Sequence, residues 1–496
     1  MSQPRLISNR DVENQTSIAH QHTSQKYRPR VTAIIPTLIK LCFLAILSLL
    51  LIVSHPPNSN TWPFNSFKPN FDSDSASRSK SAPGKLGAVA SENSICSQHG
   101  VDILRKGGNA ADAVSAGLRA GRELLVTIAA DAIAICMNIT KMPLCMVDWQ
   151  GKIFIRFPSI CEHDYNCSSG VPGEIRGLEY LHSKYGVLPW STVVQPAVQT
   201  ARRGFPVGED LIRYMNHAAG YEDFFTKNPT WAIDFAPGGA RLNLGDTMTR
   251  HRYADTLEAI AKYGPSAFYS GRIAETMINA LQNENGTMTL GDLQNYTVAI
   301  RNISQIDYRG YKITSTSAPS SGVIALYILK VLETYKDLFR TEQSVNLNFS
   351  IPGSSDLFGY IPSETNYVYP GKRPLSSITP VIVERSDGTL VLITGSAGGS
   401  RIITATVQNV IHSIDEGLSA ADALAKPRLH DQLVPNQVTF EYNYDNDTVA
   451  FMKSLGHNVS WVAPGQSNAQ LVRVLPNGTF DAAGEPRQVN SAGYSI

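Results

Sequence analysis

An α+β fold behind an N-terminal transmembrane helix is what this sequence predicts, and three observations predict it. Residues 31–54 form an almost unbroken apolar run, of the length that spans a bilayer core. Residues 168–335 carry helix-like patterning broken by Gly and Pro. From Thr379 onward the pattern changes to β-branched runs separated by turn residues. The chain has 496 residues and a 43% hydrophobic fraction, enough for a sizeable core. A net charge of +1 and the lack of any Lys/Arg tract give no reason to expect a nucleic-acid partner.

The N-terminus sets topology. Lys26, Arg28 and Arg30 precede the apolar run, Lys40 lies within reach of the headgroups, and no Lys or Arg follows until Lys68. By the positive-inside rule residues 1–30 are a cytosolic tail and 31–54 a retained anchor. A cleaved signal peptide is the alternative. It is disfavoured because the apolar run is long, far from Met1 and without a small-x-small cleavage site. Residues 55–84, rich in Ser, Asn, Pro and Asp, read as a disordered stalk. Asn-x-Ser/Thr sequons recur at Asn138, Asn166, Asn285, Asn295, Asn302, Asn348, Asn446, Asn458 and Asn477. With an anchor, they point to a glycosylated, single-pass type II membrane protein of the secretory pathway, in a vacuole- or lysosome-type membrane or at the cell surface. Six cysteines do not make a disulfide scaffold. Cys136, Cys145, Cys161 and Cys167 crowd one region at spacings that fit no zinc pattern, leaving incidental thiols or one lumenal disulfide. No metal or cofactor is expected.

The folded part begins near Leu86. Lys106 to Ala113 reads as a Gly-Gly turn into a small-residue helix capped by Asn109. Ser169 to Tyr180 reads as a loop entering a helix. Residues 168–335 read as a mostly helical lobe, closed by Ala318-Pro319-Ser320-Ser321-Gly322 before another small-residue helix. Pro380–Glu384 and Thr389–Thr394 are strands joined across Ser386-Asp387-Gly388, followed by a glycine-rich turn and a helix near 402–415. Val438–Tyr442, Val459–Val462 and Ala469–Val474 supply further strands.

Three C-terminal strings carry a family resemblance. They are Pro370-Gly371-Lys372-Arg373-Pro374-Leu375-Ser376-Ser377, Thr394-Gly395-Ser396-Ala397-Gly398-Gly399-Ser400 and Pro427-Arg428-Leu429-His430-Asp431-Gln432. Together with Trp461–Gln466 and Ala483–Arg487, they resemble the small subunit of the γ-glutamyltransferases, which open glutathione. The 106–113 and 169–180 strings resemble the large subunit. The resemblance divides the chain into a large-subunit-like region, 85–343, in which 119–167 is unmatched, and a small-subunit-like region, 344–496. It implies an αββα sandwich of the N-terminal-nucleophile hydrolase type and a small-molecule substrate, glutathione or another γ-glutamyl compound.

Opening an amide needs a nucleophile, a base, an oxyanion hole and a hold on the substrate. The resemblance assigns Ser376 and Ser377 to the substrate α-carboxylate, and two hydroxyl donors on a turn suit that task. It assigns Gly398 and Gly399 to the donor carbonyl, where glycine lets N–H groups approach closely. Taken alone, such Ser-Ser and Gly-Gly pairs are ordinary turn chemistry. Ser344 and Asn346 stand where the family has a Thr-x-Asn strand serving nucleophile and substrate amine. The family nucleophile is a threonine that becomes a new N-terminus, within Thr-Ser/Thr-His-x-Ser, and no such segment occurs here. Thr334 and Thr341 lack its neighbours and read as helix-end residues. The acidic segment expected after Phe349 and the arginine motif expected within 119–167 are also absent; Arg156 there has the wrong neighbours. A misjoined exon or shifted frame is one source of such a break. No catalytic residue is assigned. The family activity is γ-glutamyl transfer to water or amino acids in glutathione catabolism. For this polypeptide the readings are an inactive lumenal binding or interaction protein, or a defective gene model.

Overall fold

A computed structural model of the chain describes residues 87–116, 146–148, 170–218, 223–283, 286–334, 373 and 375–496. The tail, anchor and stalk expected over 1–84 lie outside these residues. So do Ser344, Asn346, Thr341, Arg156 and nearly all of 119–167.

Strand β1 (Ala88–Ser91) opens the described chain, followed by helices Ser94–Arg105 and Ala110–Ala116. Asn109 caps the second of these, its Oδ1 accepting from Ala111 N at 2.9 Å and Asp112 N at 3.2 Å. The fully buried Asp112 carboxylate in turn accepts from the backbone N–H of Asn109 and Val187, fixing this turn to the next helix pair. After β2 (Met146–Asp148), helices Glu174–Tyr185 and Trp190–Arg203 lead to short strands β3 (Phe205–Pro206) and β4 (Thr247–Met248), then to helices His251–Tyr263 and Gly271–Asn283. These pack into an aliphatic and aromatic core that includes Val101, Leu178, Val193, Leu257, Ile260, Tyr269 and Tyr296. The Tyr269 hydroxyl donates to Pro172 O (2.7 Å) and accepts from Arg176 N (3.1 Å), pinning the loop before Glu174.

The helical lobe ends earlier than its sequence suggests. Residues 299–316 are not helical but form β5 (Ala299–Arg301), β6 (Ile303–Tyr308) and β7 (Tyr311–Thr316). β6 and β7 make a tight hairpin through Arg309 and Gly310, both at positive φ (51° and 82°). This is the turn whose twist matches paired strands. Helix Gly322–Glu333 follows. It is not a small-residue helix but a strongly apolar one that buries Leu326, Ile328, Leu329 and Leu332.

β8 (Val381–Glu384) and β9 (Leu390–Ala397) form the expected hairpin, with Gly388 at φ 82° in the turn. Helix Arg401–Ile414 comes next, then β10 (Leu429–His430), β11 (Val438–Glu441), β12 (Val459–Val462), β13 (Asn468–Val474), β14 (Phe480–Ala483) and β15 (Ala492–Ser495). The main sheet has the antiparallel order β14-β13-β9-β8-β7-β6. Its one face buries Val381, Val383 and Leu392 under helices Gly322–Glu333 and Arg401–Ile414. The other face brings Ile382, Leu390, Ile393, Val472 and Ala482 against Ala88 and Ala90 of the β1–β15 pair. Helix Ser94–Arg105 covers that pair from outside. The layers therefore run helix, sheet, sheet, helix, with the first and last strands of the described chain joined. β10, β11 and β12 form a separate small sheet.

Candidate substrate-binding site

The β8–β9 hairpin decides where the sequence-assigned residues meet. β8 runs antiparallel to β9 with Val381 opposite Thr394. The segment entering β8 and the segment leaving β9 therefore lie at the same end of the sheet.

The serine segment is laced to the turn before helix Gly322–Glu333. Ser376 N donates to Pro319 O (2.9 Å) and Ser321 N to Ile378 O (3.0 Å). Ser321 Oγ donates to Ser376 O (2.8 Å), and Ser315 Oγ to Pro380 O (2.5 Å). Ser376 Oγ accepts only a weak bond from Ile378 N (3.2 Å). The hydroxyls of Ser320 and Ser377 have no hydrogen-bond partner among the described residues, although these residues are only 8% and 9% exposed. Ser320 was not singled out by the sequence, where it is one residue of a turn. The signal that marks it is Ser-Ser before Gly at a helix start.

The glycine pair turns the chain from β9 into helix Arg401–Ile414, with Gly398 at φ 131° and Gly399 at φ 62°. Their carbonyls accept from Arg401 N and Ile402 N, each at 3.2 Å, while their own N–H groups have no partner among the described residues. Packing alone already demands glycine at 398. A Cβ there would lie 2.7 Å from Gln466 O and 2.9 Å from Ser467 Cα.

Arg373 donates to Thr297 O (2.6 Å) and the Tyr296 hydroxyl, tying the motif to the helical lobe. Arg401 donates to Thr439 Oγ1 (2.9 Å), tying the helix start to β11. Thr334 is a helix-end residue, its Oγ1 donating to Val331 O (2.6 Å).

The remaining motif residues build a buried ionic network. Arg428 Nη2 meets Glu485 Oε2 at 2.8 Å and Arg487 Nη1 meets Glu485 Oε1 at 2.9 Å. Arg487 Nη2 and Nε hold both oxygens of Glu441, at 2.6 and 2.8 Å. All four side chains are at most 6% exposed. Burial pushes the Glu485 carboxyl up, but Arg428 and Arg487 outweigh it and hold it below the usual glutamate range. Arg428 Nη1 also donates to Ser467 O (2.8 Å), fixing the loop against which Gly398 packs. Beside this network Arg401, Thr404, Arg428, His430, Glu441 and Gln466 help line a cavity of about 10 Å³, room for about one water and not for a substrate. Burial pushes the His430 imidazole down to about 4.

Residues 162–348 and 338–495 match the model of the family described as Gamma-glutamyltranspeptidase. A glutathione hydrolase of Aspergillus flavus is 40% identical over 549 aligned positions, covering 84% of this chain and 90% of the relative. A glutathione hydrolase proenzyme of Arthroderma benhamiae is 38% identical (83% and 93% covered), and one of Escherichia coli 29% (83% and 92%). An alignment of 549 positions is longer than the whole 496-residue chain, so the Aspergillus protein carries residues that this chain does not have. Among solved structures, a cephalosporin acylase from Bacillus halodurans shares the fold, with a TM-score of 0.70 at 21% identity over 89% of this chain and 99% of that one.

Proposed function

The chain belongs to the γ-glutamyltranspeptidase family, and from that premise we propose that it presents the donor pocket of a glutathione hydrolase, built to hold a γ-glutamyl group for transfer to water or an amino acid. The observation that carries this reading is the shared end of the β8–β9 hairpin. There two serine hydroxyls enter and two glycine N–H groups leave, with the hydroxyl of Ser377 and both N–H groups unspent on the described residues. Hydroxyls suit a carboxylate, and backbone N–H groups suit the oxyanion that forms when a nucleophile attacks the γ-carbonyl. The resemblance gives Ser344 and Asn346 the parts of serving the nucleophile and the substrate amine.

In the same reading this polypeptide does not complete the reaction. The threonine whose amine takes its own hydroxyl proton has no counterpart between Thr334 and Ser344. The excess length of the relatives' alignments supports a loss from this chain. The retained role is then binding of γ-glutamyl compounds on the lumenal side. Denaturing electrophoresis of the purified, deglycosylated full chain tests this, and one uncleaved band is expected. Two stable fragments meeting near residues 320–345, or turnover of a γ-glutamyl anilide that disappears in the Ser376→Ala, Ser377→Ala double variant, would show that a nucleophile is present.

The membrane assignment belongs to the same proposal. Among the described residues no helix is long and apolar enough to cross a membrane, so anchoring rests on residues 31–54 alone. A lumenal body is supported by the exposure of every sequon asparagine that is described: Asn295, Asn302, Asn446, Asn458 and Asn477. Endoglycosidase treatment should increase mobility. No shift would refute the topology, and a mature N-terminus beyond residue 54 would replace the anchor with a cleaved signal.

A further inference from the structure

The cavity beside the ionic network is bordered by more positive charge than the described residues balance. Arg401, at the start of helix Arg401–Ile414, and Arg428 both line it. Arg428 is 5% exposed, and its Nη1 and Nη2 donate to Ser467, Leu424 and Glu485. Its Nε is buried and has no partner among the described residues. Arg401 is half-buried, donates through Nη1 to Thr439 Oγ1 (2.9 Å) and makes no ion pair among the described residues. Glu441 lines the cavity as well, yet both of its oxygens are held, Oε1 by Arg487 Nε and Oε2 by Arg487 Nη2 and Arg428 N. Three guanidinium groups, of Arg401, Arg428 and Arg487, thus stand against two carboxylates, of Glu441 and Glu485, leaving one positive charge over. Burial acts against the charge of Arg401 and Arg428 and holds both below the usual arginine value. An uncompensated buried charge is costly, and so is a buried N–H without an acceptor. A water would accept from Arg428 Nε but would not offset the excess charge. A monatomic anion does both.

We propose that this cavity binds a single halide ion, chloride under ordinary conditions, between Arg401 and Arg428. A volume of about 10 Å³ suits one monatomic ion and excludes phosphate, sulfate and carboxylate ligands. The ion would join the two sides of the glycine turn. Arg401 begins the helix into which Gly398 and Gly399 lead, and Arg428 holds Ser467 O, beside the backbone on which Gly398 packs. Its role is to brace this helix start against the Ser467 loop, and it does not depend on the donor-pocket reading.

The probes are chloride itself and bromide, its heavier stand-in. Thermal unfolding of the full chain is followed in sodium chloride and in sodium gluconate at matched ionic strength, gluconate being too large for the cavity. The midpoint is expected to rise by a few degrees in chloride and to level off as the site fills. Crystals grown in bromide should show an anomalous peak within reach of Arg428 Nε and the Arg401 guanidinium. Arg401→Gln removes one of the two charges, and its midpoint should be the same in both salts. Equal midpoints of the unaltered chain in the two salts overturn the proposal, and a bromide peak in the cavity would then mark an adventitious ion only. A chloride effect that survives Arg401→Gln undiminished, or one without a bromide peak in the cavity, puts the ion elsewhere and overturns the proposal too. Should Arg401→Gln fail to fold, the salt comparison and the bromide density of the unaltered chain carry the decision.

Discussion

Two sets of residues around the main sheet differ in how completely their polar atoms are used. Arg428, Glu441, Glu485 and Arg487 are buried and almost fully matched to one another and to backbone carbonyls; Arg428 Nε is the exception. Ser320, Ser377, Gly398 and Gly399 leave hydroxyls or N–H groups unmatched by the described residues. Arg428, Glu485 and Arg487 of the first set and Ser377, Gly398 and Gly399 of the second stand in strings that carry the resemblance. The difference is physical: a saturated network is a structural clamp, whereas unspent donors at a sheet end are left over for the binding role proposed above. The clamp also serves the surface, since Arg428 holds the Ser467 carbonyl and the neighbouring backbone closes on Gly398.

The largest effect tests the clamp. Glu485→Gln leaves two buried guanidinium groups without their shared carboxylate, and breaking such a pair costs about 3–5 kcal/mol. A strong drop in the thermal unfolding midpoint is expected. A change no larger than that of an exposed charge substitution would remove the clamp from the comparison. The same network predicts acid sensitivity. Glu485 titrates below its ordinary value when folded, so its stabilisation is present above about pH 4.5 and is lost as pH falls through the lower folded value.

A smaller effect in a separate pH window comes from His430. Its ring bonds Thr404 Oγ1 through Nδ1 (2.9 Å) and Gln432 Oε1 through Nε2 (3.1 Å), and desolvation favours the neutral form. The unfolded chain takes up a proton near pH 6.5, while the folded chain resists until about 4. Stability is therefore full above 6.5 and falls between 6.5 and 4, by roughly 3 kcal/mol at most. Denaturant midpoints across this range should show a slope that His430→Gln flattens. An unchanged slope would assign the acid sensitivity to carboxylates alone.

The sequence made the β8–β9 hairpin readable because Ser386-Asp387-Gly388 is a strong turn signal between two β-branched runs. The β6–β7 hairpin escaped because its turn is Arg309-Gly310, and arginine at positive φ is not part of the usual Asn-Gly or Asp-Gly signal. The apolar-polar-apolar step Ile306–Tyr308 and the β-branched residues of Ile313–Thr316 are the strand signals on either side of it. At the site, the order of motifs identified the serine and glycine pairs, and hairpin topology accounts for their meeting at one end. Ser320 is marked in the sequence only by Ser-Ser before Gly, a common turn pattern that says nothing of its unmatched hydroxyl. The clamp was invisible because a sequence shows charges but not their burial.

The smallest expected effect on stability is also the sharpest test of the comparison. Ser377 and Thr379 lie two residues apart, both almost fully buried. Thr379 Oγ1 donates to Ser377 O at 2.7 Å, so Thr379→Val deletes a buried bond and leaves a carbonyl short of its donor, costing about 1–2 kcal/mol. Ser377 Oγ makes no bond to the described residues, so Ser377→Ala should change stability by less than about 0.5 kcal/mol. Binding should show the reverse order, with L-glutamine affinity lost in Ser377→Ala and largely kept in Thr379→Val. Paired thermal unfolding and titration of both variants decides the point. A Ser377→Ala variant destabilised as much as Thr379→Val, with glutamine binding intact, would mean that the serine pair belongs to the scaffold and that the unspent donors at this sheet end bind nothing.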